Sequence, residues 1–194
     1  MNSNINTFIM DFDGTLVDSI KAYCAAYNQI YGHRPSFKPA NPDLVSRWDL
    51  KDQCPLENDP ERMFSSDEFW DHLELMPGAK EFMDHAKENH DVWICSIGTP
   101  LNIAKKALWI EKNLNHKQII LLSKNKADMG KDFIYFDQAV LVDDHEKNLF
   151  GAGIQKKICF GRKYDWNKNW DDLRAADFNE LTDMLLTNQL LKGA

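Results

Sequence analysis

Four cysteines in 194 residues, at positions 24, 54, 95 and 159, leave no C-x-x-C pair and no close histidine partner at zinc spacing. A zinc ribbon and a disulfide framework are therefore excluded, and the thiols are expected to be reduced and in the core. The N-terminus lacks the basic start and long apolar stretch of a secretion signal, and no apolar run reaches membrane-spanning length. The expectation is a soluble cytoplasmic protein. Positive charge is also short: 23 Lys and Arg against 30 Asp and Glu give a net charge of −7. That is a poor surface for nucleic-acid polymers or acidic membranes, although a single phosphate needs only a metal and two or three cations. Internal repeats and low-complexity tracts are absent too.

What the sequence does contain is a series of short apolar runs: Phe8 to Met10, Val92 to Cys95, Ile119 to Leu122, Ala139 to Val142 and Ile158 to Phe160. Continuous rather than alternating hydrophobicity suits strands buried on both faces of a parallel sheet. Helical spacing separates several of them. Ala79, Phe82, Met83 and Ala86 form one stripe after Pro77-Gly78; Ile103, Ala107, Ile110 and Leu114 form another, opened by Thr99 as N-cap and Pro100 at the first helical position. Asp177 to Glu180 reads as a capping box before a final helix carrying Leu181, Met184 and Leu185. The pattern predicts an α/β fold, a Rossmann-like parallel sheet with helices on both faces.

Residues 19–76 differ in character. They hold no convincing buried strand, and five prolines cut them into pieces. Ile20, Tyr23, Cys24, Tyr27 and Tyr31 lie at helical spacing, and Ser65 with Glu68 is expected to cap a helix bearing Phe69, Trp70 and Leu73. We therefore expect a small helical cap inserted at 19–76 into a core formed by residues 1–18 and 77–194, placed to act as a lid.

The first apolar run ends in Asp11-Phe12-Asp13-Gly14-Thr15. Side chains two apart on an extended backbone share a face, so Asp11 and Asp13 meet at one centre, and Gly14 permits a sharp turn beside them. Converging carboxylates repel each other and bind an oxygen-seeking divalent cation, leaving one free to attack and the other to handle a proton. Alone, such a tetrapeptide is as readily an ordinary strand-ending turn. A calcium loop does not fit, because its glycine comes sixth, not fourth.

Further strands also end in polar groups: Ser96 after Val92 to Cys95, Ser123 to Lys126 after Ile119 to Leu122, and Asp143-Asp144 after Ala139 to Val142. Ligands of open parallel sheets lie beyond the carboxyl ends of the strands, so these residues should converge. Asp11, Asp13 and Asp143 can give oxygens to Mg2+, Ser96 can donate to a phosphate oxygen, and a lysine can neutralise phosphate charge. Each has a plainer reading by itself: Asp143-Asp144 as first-turn acids of a helix, Ser96 as a loop serine, the lysines between 124 and 131 as a solvated stretch.

Taken in this order, the motifs resemble those of the haloacid dehalogenase (HAD) superfamily of phosphohydrolases. Within it, Met76 to Ala79, Val92 to Ser96, Ala107 to Glu111 and Leu141 to Asp144 are most similar to the 5′(3′)-deoxyribonucleotidases. The resemblance implies hydrolysis of a small phosphate monoester, a mononucleotide, with Asp11 as nucleophile and Asp13 as acid and base. It implies Lys126 as the phosphate-site lysine with Lys124 beside it, Lys131 being a competitor because the segment up to Asp143 is long for the family. The metal would be held by Asp11, Asp13 through its carbonyl, and Asp143, with Asp144 orienting a bound water. Tyr23, Trp48, Phe64, Phe69 and Trp70 are candidates to stack on a base. A nucleic-acid polymer and a membrane are not expected as partners; a homodimer is allowed. A phosphoglycolate or sugar-phosphate phosphatase fits the first motif equally, whereas a phospho-acceptor signalling domain fits neither the inserted lobe nor the acid at Asp13.

Overall fold

In the computed structural model, residues 5–122, 126 and 138–187 are described, and the fold follows from how their apolar runs are buried. Six parallel strands form one sheet: β1 (Thr7–Asp11), β2 (Asp91–Ile97), β3 (Ile119–Leu122), β4 (Ala139–Asp143), β5 (Lys156–Phe160) and β6 (Arg174–Ala175). Their order is β3-β2-β1-β4-β5-β6, with every pair parallel. The order in which strands are added reverses between β1 and β4, where a doubly wound sheet opens a crevice at its carboxyl edge.

Alternation along β1 sorts its side chains onto the two faces. Phe8 and Met10 join one apolar cluster with Phe82, Phe178 and Leu181, while Ile9 joins the other with Leu141, Leu149 and Cys159. All five residues of β1 and of β4 are buried, as expected for strands covered on both sides. The two-residue β6 is the strand that the apolar pattern did not foretell; it pairs through Cys159 with Arg174 and Phe160 with Ala175. All four cysteines are buried and free. No helix of the described residues is long and apolar enough to cross a membrane.

Seven α-helices accompany the strands among the described residues: α1 (Ser19–Tyr31), α2 (Pro60–Phe64), α3 (Asp67–Asp71), α4 (Ala79–Ala86), α5 (Pro100–Leu114), α6 (Glu146–Gly151) and α7 (Phe178–Leu186). Asp18 caps α1 by accepting from the Lys21 N–H, and Asp177 caps α7 by accepting from Asn179 and Glu180. The expected Ser65 cap is displaced by one residue. Ser66 caps α3, accepting from Phe69 N–H at 3.2 Å, because Ser65 is already closing α2.

A second expectation shifts in α5. Its buried residues are Asn102, Lys106 and Ile110, so that of the apolar stripe at 103, 107, 110 and 114 Ile110 alone is fully buried. The face that turns inward looks onto the carboxyl edge of the sheet, where polar groups are wanted, so hydrophobic spacing selects a neighbouring stripe. α1 to α3 form a lobe whose ends lie together: Val17 bridges Leu75, Asp18 N–H donates to Glu74 O, and Met76 N–H donates to Leu16 O.

Candidate active site

Three adjacent strands deliver the first polar groups. Asp11 ends β1, Ser96 lies near the end of β2, and Asp143 ends β4. Asp13 follows β1 on a turn in which Gly14, at φ +70°, donates its N–H to Val17 O at 3.0 Å. The left-handed backbone suits glycine, and space requires it as well, since a Cβ there would stand 2.6 Å from Asp144 Oδ2.

Two buried lysines pair with the carboxylates. Lys126 Nζ donates to Asp11 Oδ1 at 2.6 Å and also to Asp143 Oδ2. Lys106 Nζ donates to Asp13 Oδ2, to Ser96 Oγ at 2.8 Å and to Ile97 O at 2.7 Å. Both ammonium groups are almost fully enclosed, so each depends on its carboxylates and oxygens for compensation. Asp13 Oδ1 is buried without a partner among the described residues.

Asp143 is the most thoroughly engaged acid. Besides Lys126, its Oδ1 accepts from His145 N–H at 2.8 Å and from Asn148 Nδ2 at 3.1 Å. Asp144 accepts from the Trp166 indole at 3.1 Å on Oδ2, and among the described residues no donor meets Oδ1. His145, rather than either aspartate, caps α6, accepting from Lys147 N–H at 3.2 Å on Nδ1.

Asp11, Asp143 and Asp144 bring oxygens within 4.8 Å of one another. Burial pushes the Asp11 carboxyl up to about 7; Lys126 opposes this, and Asp143 and Asp13 add to it. Burial, then Asp11 and Asp143, hold Asp144 well above the usual carboxylate range. Burial acts to lower Lys126, yet Asp11 and Asp143 outweigh it and the net displacement is upward. One lysine thus faces three crowded acids, and the remaining negative charge suits a hard cation with oxygen ligands.

Asp11, Asp13, Ser96, Lys126 and Asp144 floor a cavity of about 670 Å³ that is bounded by Ile20, Trp48, Leu50 and Phe64 of the inserted lobe and by His145 and Trp166 of the core. Of the five aromatic candidates, Trp48 and Phe64 line it. Tyr23 and Phe69 are buried in the core, and Trp70 stacks on Phe12 with its indole donating to Phe64 O at 3.0 Å. Lys124 and Lys131 lie outside the described residues. Lys106 and Trp166 went unforeseen. The signal for Lys106 was its place four residues from both Asn102 and Ile110 on one helical face; nothing in sequence spacing marks Trp166.

A family model described as "5′ nucleotidase, deoxy (Pyrimidine), cytosolic type C protein" matches residues 4–191. No curated protein matches the chain. Among solved structures, a predicted phosphoglycolate phosphatase from Haemophilus somnus is 16% identical with a TM-score of 0.63, covering 95% of this chain and 99% of its own. A haloacid dehalogenase-like hydrolase from Streptococcus pneumoniae is 18% identical, TM-score 0.62, covering 95% and 100%. A HAD-hydrolase from Bacillus subtilis bound to magnesium is 13% identical, TM-score 0.60, covering 94% and 99%. At these identities the structures speak for the fold.

Proposed function

The chain belongs to the cytosolic type C family of deoxy (pyrimidine) 5′ nucleotidases, and from that premise we propose that it hydrolyses deoxypyrimidine nucleoside monophosphates through an aspartyl phosphate. It is a phosphoric monoester hydrolase of HAD type. The observation that carries the finer reading is that Asp11 and Asp13, at the floor of one aromatic-walled cavity, are each paired with a separate buried lysine.

Asp11 attacks phosphorus, forming an O–P bond as the ester O–P bond breaks. Asp13 gives its proton to the leaving alcohol from Oδ1, the oxygen left free by Lys106. In the second half it takes a proton from the water that displaces Asp11, and inorganic phosphate leaves. Ser96 Oγ accepts from Lys106, so its own hydrogen is available to a phosphate oxygen. Lys126 neutralises charge on the nucleophile and the phosphoryl group.

The carboxylate set fits Mg2+. Asp11 and Asp144 would hold it, with the Asp13 carbonyl. Asp143 would secure Lys126 and the turn into α6, since its oxygens already carry Lys126, the His145 N–H and Asn148. This exchanges the parts that sequence reasoning gave Asp143 and Asp144. Bound there, the ion supplies positive charge against the approach of two anions. The segment 19–76 acts as a cap on the core of 1–18 and 77–194, and Trp48 and Phe64 offer the base its apolar walls. A small cytosolic phosphomonoester is the expected partner.

The test is phosphate release from a panel of deoxypyrimidine, deoxypurine and ribonucleoside monophosphates, phosphoglycolate and hexose phosphates, with magnesium and after chelation. A higher kcat/KM for deoxypyrimidine nucleotides, lost reversibly on chelation, is expected. Activity confined to phosphoglycolate or hexose phosphates overturns the substrate, and full activity after exhaustive chelation overturns the metal.

A further inference from the structure

The loop after β5 reaches both the acidic cluster and the inserted lobe. Gly161, at φ +79°, turns the chain out of the sheet, and Arg162, Tyr164 and Trp166 of the following stretch make contacts in sequence. Arg162 donates to the carbonyls of Asp43 at 3.0 Å and of Pro42 and Val45 at 2.9 Å, all three in the lobe. Its guanidinium lies 4.5 Å from the centre of the Tyr164 ring. Tyr164 stacks on Trp166 with centroids 4.0 Å apart and planes 8° from parallel. Trp166 is buried and donates Nε1–H to Asp144 Oδ2.

The lobe touches the same ring directly. Trp48 meets Trp166 edge to face at 5.5 Å and His145 at 4.7 Å, and Asp165 N–H donates to Ser46 O at 3.2 Å. Asn167, fully buried, closes the loop by donating to the Asp144 carbonyl at 2.9 Å.

An indole N–H donates only. It therefore selects which oxygen of Asp144 is occupied, Oδ2, in a carboxylate that belongs to the cluster shared with Asp11. We propose that Trp166 is a positioning residue for Asp144, and that Trp48 makes this positioning depend on the seating of the cap. The proposal rests on the reading of Asp144 as a metal ligand. A donor behind a ligating carboxylate fixes its direction, and losing such a partner typically weakens metal binding about 10- to 100-fold. Cap seating would then be felt at the ion as well as at the substrate.

The decisive variant is Trp166→Phe, which keeps a ring against Tyr164 and Trp48 but has no N–H. Mn2+ binding to the substrate-free protein is followed by electron paramagnetic resonance, alongside the magnesium dependence of phosphate release. Trp166→Phe is expected to bind Mn2+ about tenfold more weakly and to need correspondingly more magnesium, with kcat largely restored at saturation. Trp48→Ala should weaken Mn2+ binding by a smaller factor, and the double variant should match Trp166→Phe alone, because both act through one ring.

Equal Mn2+ affinity in wild type and Trp166→Phe overturns the positioning role while leaving the metal site standing. Additive effects of the two variants overturn the link to the cap. A wild-type chain that binds no Mn2+ overturns the metal reading and this proposal with it. Should Trp166→Phe not fold, Tyr164→Leu removes the stacked ring but spares the indole; unchanged Mn2+ affinity there overturns the proposal, and a weakened one supports it.

Discussion

Replacing Gly14 by alanine puts a single methyl group where the geometry leaves no room. The new carbon would stand 2.6 Å from Asp144 Oδ2 and 2.9 Å from its Cγ, so restoring ordinary contact near 3.4 Å moves the carboxylate by about 0.8 Å. That shift draws Oδ2 off the indole hydrogen bond at 3.1 Å and carries Asp144 out of line with Asp11. A misplacement of this order costs about 100-fold in rate. The backbone contributes a second effect, since alanine at φ +70° occupies the left-handed region at about 1–2 kcal/mol, which in a chain of this size lowers Tm by roughly 2–8 °C. The two effects are read separately, kcat/KM from phosphate release on a deoxypyrimidine nucleotide and Tm from calorimetry. A Gly14→Ala protein with the expected drop in Tm but wild-type kcat/KM would refute the claim that the position of Asp144 matters to turnover.

Asp11→Asn should lose nearly all turnover while keeping its Tm within a few degrees, because an amide of the same shape cannot attack phosphorus and relieves repulsion with Asp143 and Asp13; a folded variant with substantial phosphatase activity rules Asp11 out as nucleophile. Lys106→Met should lower kcat by about 10²- to 10³-fold, comparable to removing an oxyanion donor, since it strips Asp13, Ser96 and the Ile97 carbonyl of their shared donor; a loss under threefold removes Lys106 from the machinery. His116 is buried with Nε2 unpartnered among the described residues, and burial, then Lys87, hold its pKa below the ordinary 6.5. The unfolded chain takes up its proton first as pH falls, so the stability His116 contributes is complete above about 6.5 and is lost on acidification toward the folded value. Tm measured between pH 7.5 and 5 should fall more steeply in wild type than in His116→Gln, and parallel curves would contradict this.

The residues legible in the sequence are those whose role coincides with a one-dimensional pattern. Asp11 closes an apolar run that is buried on both sides, so the run itself announces where the carboxylate emerges. Ser96 and Asp143 are marked in the same way, and the parallel sheet brings the three together. Lys106 has no such herald. It lies inside a helix, and its burial is set by a tertiary neighbour, Asp13, 93 positions away. The α5 stripe went astray for the same cause: Asn102 and Lys106 turn to polar partners, the Phe64 carbonyl and Asp13, rather than to apolar core. β6 is too short to carry a pattern, and the contact of Trp166 with Asp144 is decided by the course of an irregular loop. What eluded the sequence was chiefly what surrounds the clustered carboxylates, whereas Asp11 and Asp143 themselves stand at strand ends.

Arg162 spends its guanidinium donors on main-chain oxygens of Pro42, Asp43 and Val45. Carbonyl groups are the same whatever side chain follows, so this attachment does not read the identity of the residues it holds. Rim positions other than Trp48 can therefore accumulate substitutions without unseating the lobe that carries them. A fastening indifferent to side chains lets selection, or an engineer, exchange what lines the cavity's rim while its polar floor stays unaltered.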